Sequence, residues 1–318
     1  MSLTKNLILI LLLAIFKNQS FAQSPIKLKE APVINGIKQH IDIDSKNNQK
    51  PILLFLHGGP GFSSRPYFSS IRKGIQDEFI VAQWDQRETG ITKVWNDSPE
   101  LITTEQMHKD TEEVIDYLLK KFNREKLILV GFAWGNYLGI TYASKYPEKL
   151  IAYVNVSGMI HNNESEELTL NLIREKAEKE GNKEALNEIE QIRLPFENWK
   201  QLNYQRKWTA YYSGFKNVDS TYPPKLIEDW SKTWFNVFLS ASKENFKETI
   251  PTLNCPVFFM SSRKDLLANF ELSSEYFKKL RAPQKEIIMF EKSTHEIPNE
   301  ESKKFTEELL RIGEIILQ

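Results

Sequence analysis

Residues 127–139 have the sequence LILVGFAWGNYLG, in which a short run of leucine and β-branched residues meets Gly131 and, four residues later, Gly135. An apolar pattern with helical spacing begins directly after the second glycine. A strand that turns sharply into a helix needs glycines at such positions, because the backbone can then pass without a Cβ clash. The stretch therefore predicts a strand, a tight turn at Ala133 and a helix.

This arrangement matches the nucleophile elbow, G-x-S-x-G, except that Ala133 stands at the serine position. In such an elbow, the middle side chain is lifted above the sheet to act as a nucleophile. A methyl group cannot attack a carbonyl carbon. Ser157 follows the predicted strand at 150–156 and Thr89 follows the loop at 84–87. Neither hydroxyl lies on the elbow, and misplacement by about 1 Å already costs roughly a hundredfold in rate.

Strand and helix patterns alternate along the rest of the chain. Continuous apolar runs predict buried strands at 52–56, 79–84, 150–156, 257–260 and 286–290, and a polar–apolar alternation predicts an edge strand at 39–44. Helices are predicted from Thr103, which forms a capping box with Gln106, and at 135–146, 272–280 and from about 300. This alternation favours an α/β fold with a mostly parallel sheet that is covered on both faces.

The composition suits one large domain with an insertion. The chain has 318 residues, of which 41% are hydrophobic, and its 42 basic and 42 acidic residues give no net charge. This balance argues against nucleic acid or an anionic membrane surface as a partner. No metal-ligand cluster or phosphate-binding glycine pattern is present in the sequence, so we predict no metal and no cofactor. The sequence leaves the oligomeric state open.

The first 22 residues have the features of a signal peptide. Lys5 precedes an apolar run from Leu7 to Phe16, and small residues occupy the cleavage positions at Ser20 and Ala22. We therefore expect an exported protein, periplasmic or extracellular, without stable membrane insertion after cleavage. The alternative is a retained anchor, which the short apolar run disfavours. The one cysteine, Cys255, is interpreted as a small buried hydrophobic residue.

An insertion interrupts the strand–helix alternation. We predict a core from 23–158 and 251–318, and a helical cap from 159–250 that follows the strand at 150–156. The cap is rich in aromatic residues, most of which we expect to fill its own small core, with others lining a pocket over the elbow. These aromatic residues are Trp199, Tyr204, Trp208, Tyr211, Tyr212, Phe215, Tyr222, Trp230, Trp234 and Phe235.

A glycine-rich loop, His57-Gly58-Gly59-Pro60-Gly61, follows the buried strand at 52–56. Such a loop leaves backbone N–H groups exposed to a ligand, as an oxyanion hole requires, and the N–H of Trp134 would be a second donor. Taken alone, a glycine-rich loop is usually only a tight turn. Its position after a central strand and before the elbow favours the functional interpretation.

An acid and a base follow the last two strands. Asp265 comes shortly after strand 257–260, and His295 shortly after strand 286–290. The carboxyl ends of parallel strands meet at one edge of a sheet, and the order elbow, acid, histidine is that of an α/β-hydrolase triad. We therefore predict an Asp265–His295 dyad at this edge.

A third polar loop, with the sequence WDQR at 84–87, follows the strand at 79–84. Asp85 and Arg87 could be catalytic. We favour a structural salt bridge or turn, because paired charges beside a strand end usually fix loops.

These motifs together resemble the prolyl-iminopeptidase-like branch of the α/β-hydrolases, over nearly the whole mature chain. HGGPG with WDQR is specific to that branch. The resemblance implies an α/β-hydrolase fold with a helical cap, Gly59 and Trp134 as oxyanion donors, Asp265 orienting His295, and ancestral hydrolysis of N-terminal residues from peptides or of small amides or esters.

The chain also departs from this family. Ala133 replaces the serine, Phe132 replaces a residue that is often polar, and Glu88 replaces the glycine usual after the arginine. Peptidases of this branch bind the substrate amino group with acidic cap residues, for which Glu164, Glu166 and Glu167 are possible equivalents without a residue-by-residue match.

Two functions remain open from the sequence. The first is a pseudoenzyme that binds a small peptide-like or apolar ligand under its aromatic cap. The second is an enzyme that uses the His295–Asp265 dyad alone, with His295 as general base. Retention of the dyad favours the second, and the methyl group of Ala133 beside Phe132 favours the first.

Overall fold

A central sheet of eight strands organises the computed structural model, which describes residues 24–96, 101–215, 217–218 and 223–317. The predicted signal peptide lies outside the described residues. The strands are β1 Ile26–Glu30, β2 Val33–Ile34, β3 Ile37–Lys38, β4 His40–Ser45, β5 Ile52–Leu56, β6 Ile80–Asp85, β7 Leu127–Phe132, β8 Leu150–Val156, β9 Val257–Ser262 and β10 Lys285–Phe290. The sheet order is β1-β4-β6-β5-β7-β8-β9-β10, and β2 and β3 form a separate hairpin.

The sheet is parallel from β6 through β5 to β10, whereas β1 and β4 add to it antiparallel. All residues of β5, β6, β7 and β9 are buried, as expected for parallel strands covered on both faces. The parallel arrangement places the carboxyl ends of β5, β7, β9 and β10 at one edge. The glycine loop, the elbow, Asp265 and His295 each follow one of these ends.

Helices cover both faces of the sheet. They are α1 Arg65–Ile75, α2 Gly90–Trp95, α3 Thr104–Phe122, α4 Trp134–Lys145, α5 Asn162–Glu180, α6 Lys183–Ile189, α7 Trp199–Tyr212, α8 Pro224–Ala241, α9 Phe246–Thr249, α10 Phe270–Lys279, α11 Ile297–Glu300 and α12 Ser302–Ile316, with a 3-10 turn at Pro147–Lys149. Helices α1 and α12 pack in the apolar core on one face of the sheet. Helices α3, α4 and α10 contribute to the core on the other face.

The predicted α/β fold and its mostly parallel sheet are confirmed, and the Thr103 cap is formed, with its side chain accepting from the N–H of Gln106. The prediction of an edge strand at 39–44 is wrong. Strand β4 lies between β1 and β6 and is entirely buried, because β1, which the sequence analysis missed, forms the edge instead. Cys255 is buried as predicted, and burial raises the pKa of its thiol to about 11.

The helices between β8 and β9, α5 to α9, form the cap over the carboxyl edge of the sheet. Most of its aromatic residues pack together in the cap's own core, as expected. Trp234 instead joins the core below, and Phe215 and Trp230 line a cavity. Tyr222 lies outside the described residues. Among the described helices, none is both long enough and apolar enough to cross a bilayer.

Candidate active site

The elbow is a strained turn between β7 and α4. Ala133 has φ 50° and ψ −109°, a combination that L residues rarely adopt. The flanking glycines allow the tight crossing. A Cβ at Gly131 would lie 2.7 Å from the carbonyl oxygen of Gly135, and a Cβ at Gly135 would overlap the carbonyl oxygen of Leu56. Contacts with neighbouring backbone therefore hold the turn, and these do not depend on a hydroxyl at position 133.

The elbow presents an apolar surface. Ala133 and Phe132 line a cavity beneath the cap. The Phe132 ring lies 5.5 Å from the His295 ring, centroid to centroid, and it packs so closely on Gly58 that a Cβ there would come within 3.0 Å of it. A methyl group and a phenyl ring thus occupy the region where a nucleophile would act.

Asp265 and His295 form a hydrogen-bonded pair at the same edge. Nδ1 of His295 lies 2.9 Å from Oδ2 and 3.0 Å from Oδ1 of Asp265. The buried Asp265 carboxylate also accepts from the N–H groups of Leu267 and Ala268 at 2.8 and 2.9 Å. Because an ionised carboxylate only accepts, Nδ1 carries the proton, and Nε2 is the nitrogen left for a ligand or water.

The His295 ring is more basic than an ordinary histidine. Burial alone lowers its pKa, but the charge and hydrogen bond of Asp265 outweigh this effect and raise the pKa above 6.5, with a further contribution from Glu296. The imidazolium form is therefore favoured to a higher pH than in a solvated histidine.

His57 orients the glycine loop. The N–H of Gln86 donates to Nε2 of His57 at 3.2 Å, so Nδ1 carries the proton and donates to the Gly58 carbonyl at 2.8 Å. Burial lowers the pKa of this ring to about 4, which keeps it neutral. Since C=O and N–H point in opposite directions across a trans peptide, the N–H of Gly59 points away from His57.

Two backbone donors are thus available near the elbow. Gly59 lines the cavity, and its N–H is directed by the buried His57. Trp134 is the first residue of α4, so its N–H has no acceptor within the helix. Its indole donates to Gln86 at 3.0 Å, which ties the elbow to the same loop. The predicted oxyanion donors are in positions compatible with that role, which remains a prediction.

The cavity has a volume of about 550 Å³ and is bounded by the glycine loop, the elbow, the loop that carries His295, and the cap. Its wall is mainly apolar, with Leu202, Ile227, Trp230 and Phe238 contributed by the cap. A volume of this size suits a small organic molecule or a short peptide.

A family model described as alpha/beta hydrolase fold matches residues 51–301. The chain belongs to this α/β-hydrolase family. It is 28% identical over 299 residues to a probable aminopeptidase of Bacillus subtilis (strain 168), covering 87% of this chain and 93% of that one. It is 34% identical over 112 residues to a proline iminopeptidase of Lactobacillus helveticus, covering 35% and 36% of the two chains.

The solved structure of a proline iminopeptidase-related protein from Thermus thermophilus has the same fold, with a TM-score of 0.59. It is 17% identical to this chain and covers 92% of it and 98% of its own length. The two curated relatives support placing this α/β-hydrolase in the proline iminopeptidase-like branch.

In this α/β-hydrolase, the WDQR loop has structural contacts. Arg87 forms a paired hydrogen bond with Asp110, at 2.9 and 3.0 Å, and donates to the Asn35 carbonyl. The fully buried Asp85 accepts from Ser63 and from the N–H of Ile91. Neither Asp85 nor Arg87 is among the residues that line the cavity.

The two other hydroxyls that follow strands also lie away from the cavity lining. Ser157 is buried, and its Oγ has no hydrogen-bond partner in the described part of the chain. Thr89 is buried, with its hydroxyl 3.3 Å from the Arg87 carbonyl. Within the described residues, no group of three or more metal-ligating side chains could hold a metal ion.

The three cap glutamates do not line the cavity either. Glu166 is buried and holds Arg206 through two hydrogen bonds of 2.9 and 2.6 Å. Glu164 pairs with His161 and Lys247, and Glu167 is exposed to solvent.

Two carboxylates that do line the cavity were missed by sequence reasoning: Glu296, directly after His295, and Glu300, the last residue of α11. The sequence feature that could have identified Glu296 as a site residue is its position directly after His295, the candidate base.

Proposed function

We propose that this protein is a non-hydrolytic α/β-hydrolase that binds a small peptide-like or apolar ligand in the cavity between core and cap. The observation that carries the proposal is the methyl group of Ala133 on the strained elbow, facing the cavity beside Phe132. The intact surroundings support binding, because the mainly apolar cavity and the N–H groups of Gly59 and Trp134 remain available to a ligand. From the N-terminal sequence we also propose export to the periplasm or the extracellular medium.

The size of the catalytic loss supports this proposal. Removing the serine from a triad hydrolase lowers turnover by on the order of a millionfold, which corresponds to about 8 kcal/mol in activation free energy. The oxyanion hole and substrate binding alone retain roughly a thousandfold over water. Such a residual rate is too small for ordinary hydrolase activity.

One observation favours a second candidate, an enzyme that uses the dyad without a serine. Asp265 holds His295 with Nε2 unprotonated when the ring is neutral, which is the arrangement of a general base. Because Asp265 raises the pKa of His295, such an enzyme should lose activity as pH falls through a value above 6.5.

The test is turnover of prolyl and alanyl p-nitroanilides and of short p-nitrophenyl esters by the natural protein, Ala133→Ser and His295→Ala. We expect the natural protein to show no more than the residual rate of oxyanion hole and binding, roughly a thousandfold over water, and His295→Ala to leave that rate unchanged. We expect Ala133→Ser to gain measurable hydrolysis, because the elbow, the dyad and the backbone donors are already in place.

Hydrolysis by the natural protein that disappears in His295→Ala would overturn the proposal and establish the dyad enzyme. An Ala133→Ser/His295→Ala double variant is the matched control, since any gain that uses the dyad must be absent from it. Inactivity of Ala133→Ser, with an unchanged circular dichroism spectrum, would contradict an intact site.

A further inference from the structure

Two backbone donors at the elbow have no acceptor. The N–H groups of Gly59 and Trp134 make no hydrogen bond to other described residues, and Gly59 lines the cavity. A Cβ on the neighbouring Gly58 would lie 3.4 Å from the Cβ of Ala133, so the glycine loop packs directly against the elbow. Backbone N–H groups that are left unpaired away from water cost free energy. A ligand acceptor beside the Ala133 methyl group would remove that cost.

His295 supplies a third donor. Its Nδ1 is held by Asp265, and its Nε2 has no hydrogen-bond partner within the described part of the chain. The ring lines the same cavity and lies 5.5 Å from the ring of Phe132, the residue before Ala133. In a catalytic triad the serine hydroxyl would take this nitrogen. Because Ala133 has no hydroxyl, Nε2 is open to a ligand, and it becomes a donor when the ring is protonated.

A carboxylate has the two acceptor oxygens that these three donors require. One oxygen would accept from the N–H groups of Gly59 and Trp134. The other would occupy the space that a serine hydroxyl fills in a triad hydrolase and accept from Nε2 of the His295 imidazolium. A neutral carbonyl group has one such oxygen and would leave the imidazolium unpaired. Hydrogen bonds to an ionised acceptor are also roughly twice as strong as neutral ones, so the donors favour an anion.

A second cation lines the same cavity. Arg206, on cap helix α7, is paired with Glu166 through two hydrogen bonds. Burial and the charge of Arg206 both lower the pKa of His295, against the larger effect of Asp265. The arginine and the imidazolium thus repel each other, and an anion bound in the cavity would relieve that repulsion.

Two carboxyl groups of the cavity oppose an anion, but their effect is reduced. The Glu300 carboxylate accepts from the N–H and the hydroxyl of Thr294. Burial raises the pKa of Glu296, so its neutral form is favoured more than in an ordinary glutamate. Burial also raises the pKa of Tyr67, which lines the wall from α1, so this phenol stays protonated. Neutral forms of Glu296 and Tyr67 do not repel an anion.

We propose that the N–H groups of Gly59 and Trp134 and the protonated Nε2 of His295 bind the carboxylate of an apolar acid, whose body lies against the apolar wall of the cavity. The ligand class comprises monocarboxylates on an apolar body, from simple acids to N-acylated amino acids. This inference rests on the proposed ligand-binding function and assigns the charge and the anchoring point of the ligand. Where His295 is neutral in the free protein, binding takes up a proton, so the affinity falls as the pH rises.

The test uses isothermal titration calorimetry with three probes that share one apolar body: 4-phenylbutanoate, 4-phenylbutanamide and 4-phenylbutylamine. We expect the carboxylate to bind most tightly at pH 7. Its affinity should fall by roughly tenfold or more between pH 7 and pH 9, because the imidazolium is lost above the pKa of His295. The neutral amide, which cannot pair with the imidazolium charge, should show no such fall.

Proton uptake identifies the group that titrates. At pH 8.5, titrations in buffers of different ionisation enthalpy should show uptake of up to one proton with 4-phenylbutanoate and none with the amide. Glu296→Gln should retain this uptake. His295→Gln should abolish it and weaken carboxylate binding by roughly 10- to 100-fold, as for loss of a charge-assisted hydrogen bond. Glu167→Gln, which removes an exposed carboxylate that is not part of the cavity lining, is the matched control and should change neither.

A second readout needs no variant. NMR of the His295 ring in the natural protein should show its pKa rise on saturation with 4-phenylbutanoate, because a bound anion stabilises the imidazolium. The amide should not raise it.

A further probe, N-acetylphenylalanine, carries the carboxylate on a peptide-like body. Binding of either acid with proton uptake supports the site, and the tighter of the two shows whether a simple acid or a peptide-like carboxylate fits the cavity better.

Equal affinity for 4-phenylbutanoate and its amide at pH 7 would overturn the proposal, as would carboxylate binding that does not depend on pH or on His295. Loss of proton uptake in Glu296→Gln would place the proton on that residue and would also contradict it. Tightest binding of 4-phenylbutylamine, or binding of none of the probes, would exclude a carboxylate site.

Failure of the proposed function is separate from failure of this inference. If the natural protein hydrolyses substrates, the non-hydrolytic proposal falls, but 4-phenylbutanoate must still inhibit competitively, with an inhibition constant that rises with pH. If the protein is inert and binds the neutral amide better than the acid, the non-hydrolytic proposal stands and the carboxylate site falls.

Discussion

Glu88 combines two unfavourable features in one residue. Its φ is 54°, in the left-handed region, and its buried carboxylate leaves Oε1 without a partner in the described structure, with Lys93 3.9 Å from the other oxygen. Burial raises the pKa of Glu88, so the charged form is disfavoured. The glycine expected here by resemblance would have neither problem.

Glu88→Gly should therefore stabilise the protein. Relief of the left-handed backbone and of the buried carboxylate, less the greater freedom of glycine in the unfolded chain, should raise the free energy of unfolding by about 1 kcal/mol. Urea denaturation at pH 7, where an ordinary glutamate is charged, measures the effect.

Asn123→Gly provides the comparison, because Asn123 has φ 49° but is exposed and of a type that tolerates this region. Its stability should change by less than about 0.5 kcal/mol. Equal effects of the two substitutions would show that burial of the Glu88 carboxylate does not lower the stability.

The sequence predicted individual site residues when each followed a strand end. Asp265, His295 and Gly59 fall in this class, because strand ends can be located from apolar runs. Tyr67 and Arg206 were missed, since each lies on a helix whose position over the sheet depends on tertiary packing. The pairing of Glu166 with Arg206 could not be predicted either, because the two residues are 40 positions apart and no local sequence pattern indicates their contact.

At the scale of elements, cap helix α8 sits directly on the glycine loop. The Trp230 indole donates to the Pro60 carbonyl at 2.7 Å. Trp234 packs so closely on Gly61 that a Cβ there would lie 2.7 Å from Cδ1 of its ring. The loop and the cap therefore hold each other in place.

Gly61→Ala should disturb this contact. The residue has φ 85°, and the added methyl group would collide with Trp234, so we expect a loss of about 2–4 kcal/mol in the free energy of unfolding. Thermal and urea unfolding, followed by tryptophan fluorescence, would report it.

Gly36→Ala separates the energetic cost of the left-handed backbone from that of the collision with Trp234. Gly36 has φ 86°, nearly the same as Gly61, but a Cβ there would meet nothing within 4 Å. It should cost only about 1–2 kcal/mol from the backbone. A loss in Gly61→Ala no greater than in Gly36→Ala would contradict the cap contact.

Strands were predicted correctly where the sequence shows one uninterrupted hydrophobic pattern. Strands β5, β7 and β8 were recognised from uninterrupted apolar runs, because burial on both faces leaves no room for polar residues. Strand β1 has one intermediate residue at each end and three exposed ones between, so its composition resembles a loop. Because β1 was not predicted, β4 was taken to be the edge strand of the sheet.

For the whole molecule, two histidines with lowered pKa values, the buried His57 and the half-buried His108, make stability depend on pH. Burial lowers the pKa of His57 to about 4, against an ordinary value of 6.5, and burial lowers that of His108 to about 4 as well. Below pH 6.5 the unfolded chain binds protons at these rings and the folded chain does not. Their contribution to stability is therefore complete above pH 6.5 and is lost as pH falls towards 4.

We expect protonation of His57 alone to lower the free energy of unfolding by on the order of 3 kcal/mol as pH falls from 6.5 to about 4. His57→Gln, which keeps an acceptor near Nε2, should lose less stability between pH 7 and pH 5 than the natural protein, with a remaining slope from His108. Urea unfolding at the two pH values tests this.

Ring NMR of the natural protein provides an independent measurement if the variant folds poorly. The His57 ring must stay neutral at pH 5.5. A protonated His57 at that pH, or identical pH dependence of the two proteins, would show the expectation to be wrong.

The strained turn at Ala133 also bears on how this protein evolves. Because Gly131, Gly135 and Leu56 fix the turn, the residue at 133 can be exchanged without rebuilding the scaffold. Alanine and serine codons are separated by a single nucleotide change. Under the proposed function, loss and recovery of hydrolysis are thus adjacent steps on a short mutational path, provided that selection on ligand binding preserves the surrounding loops.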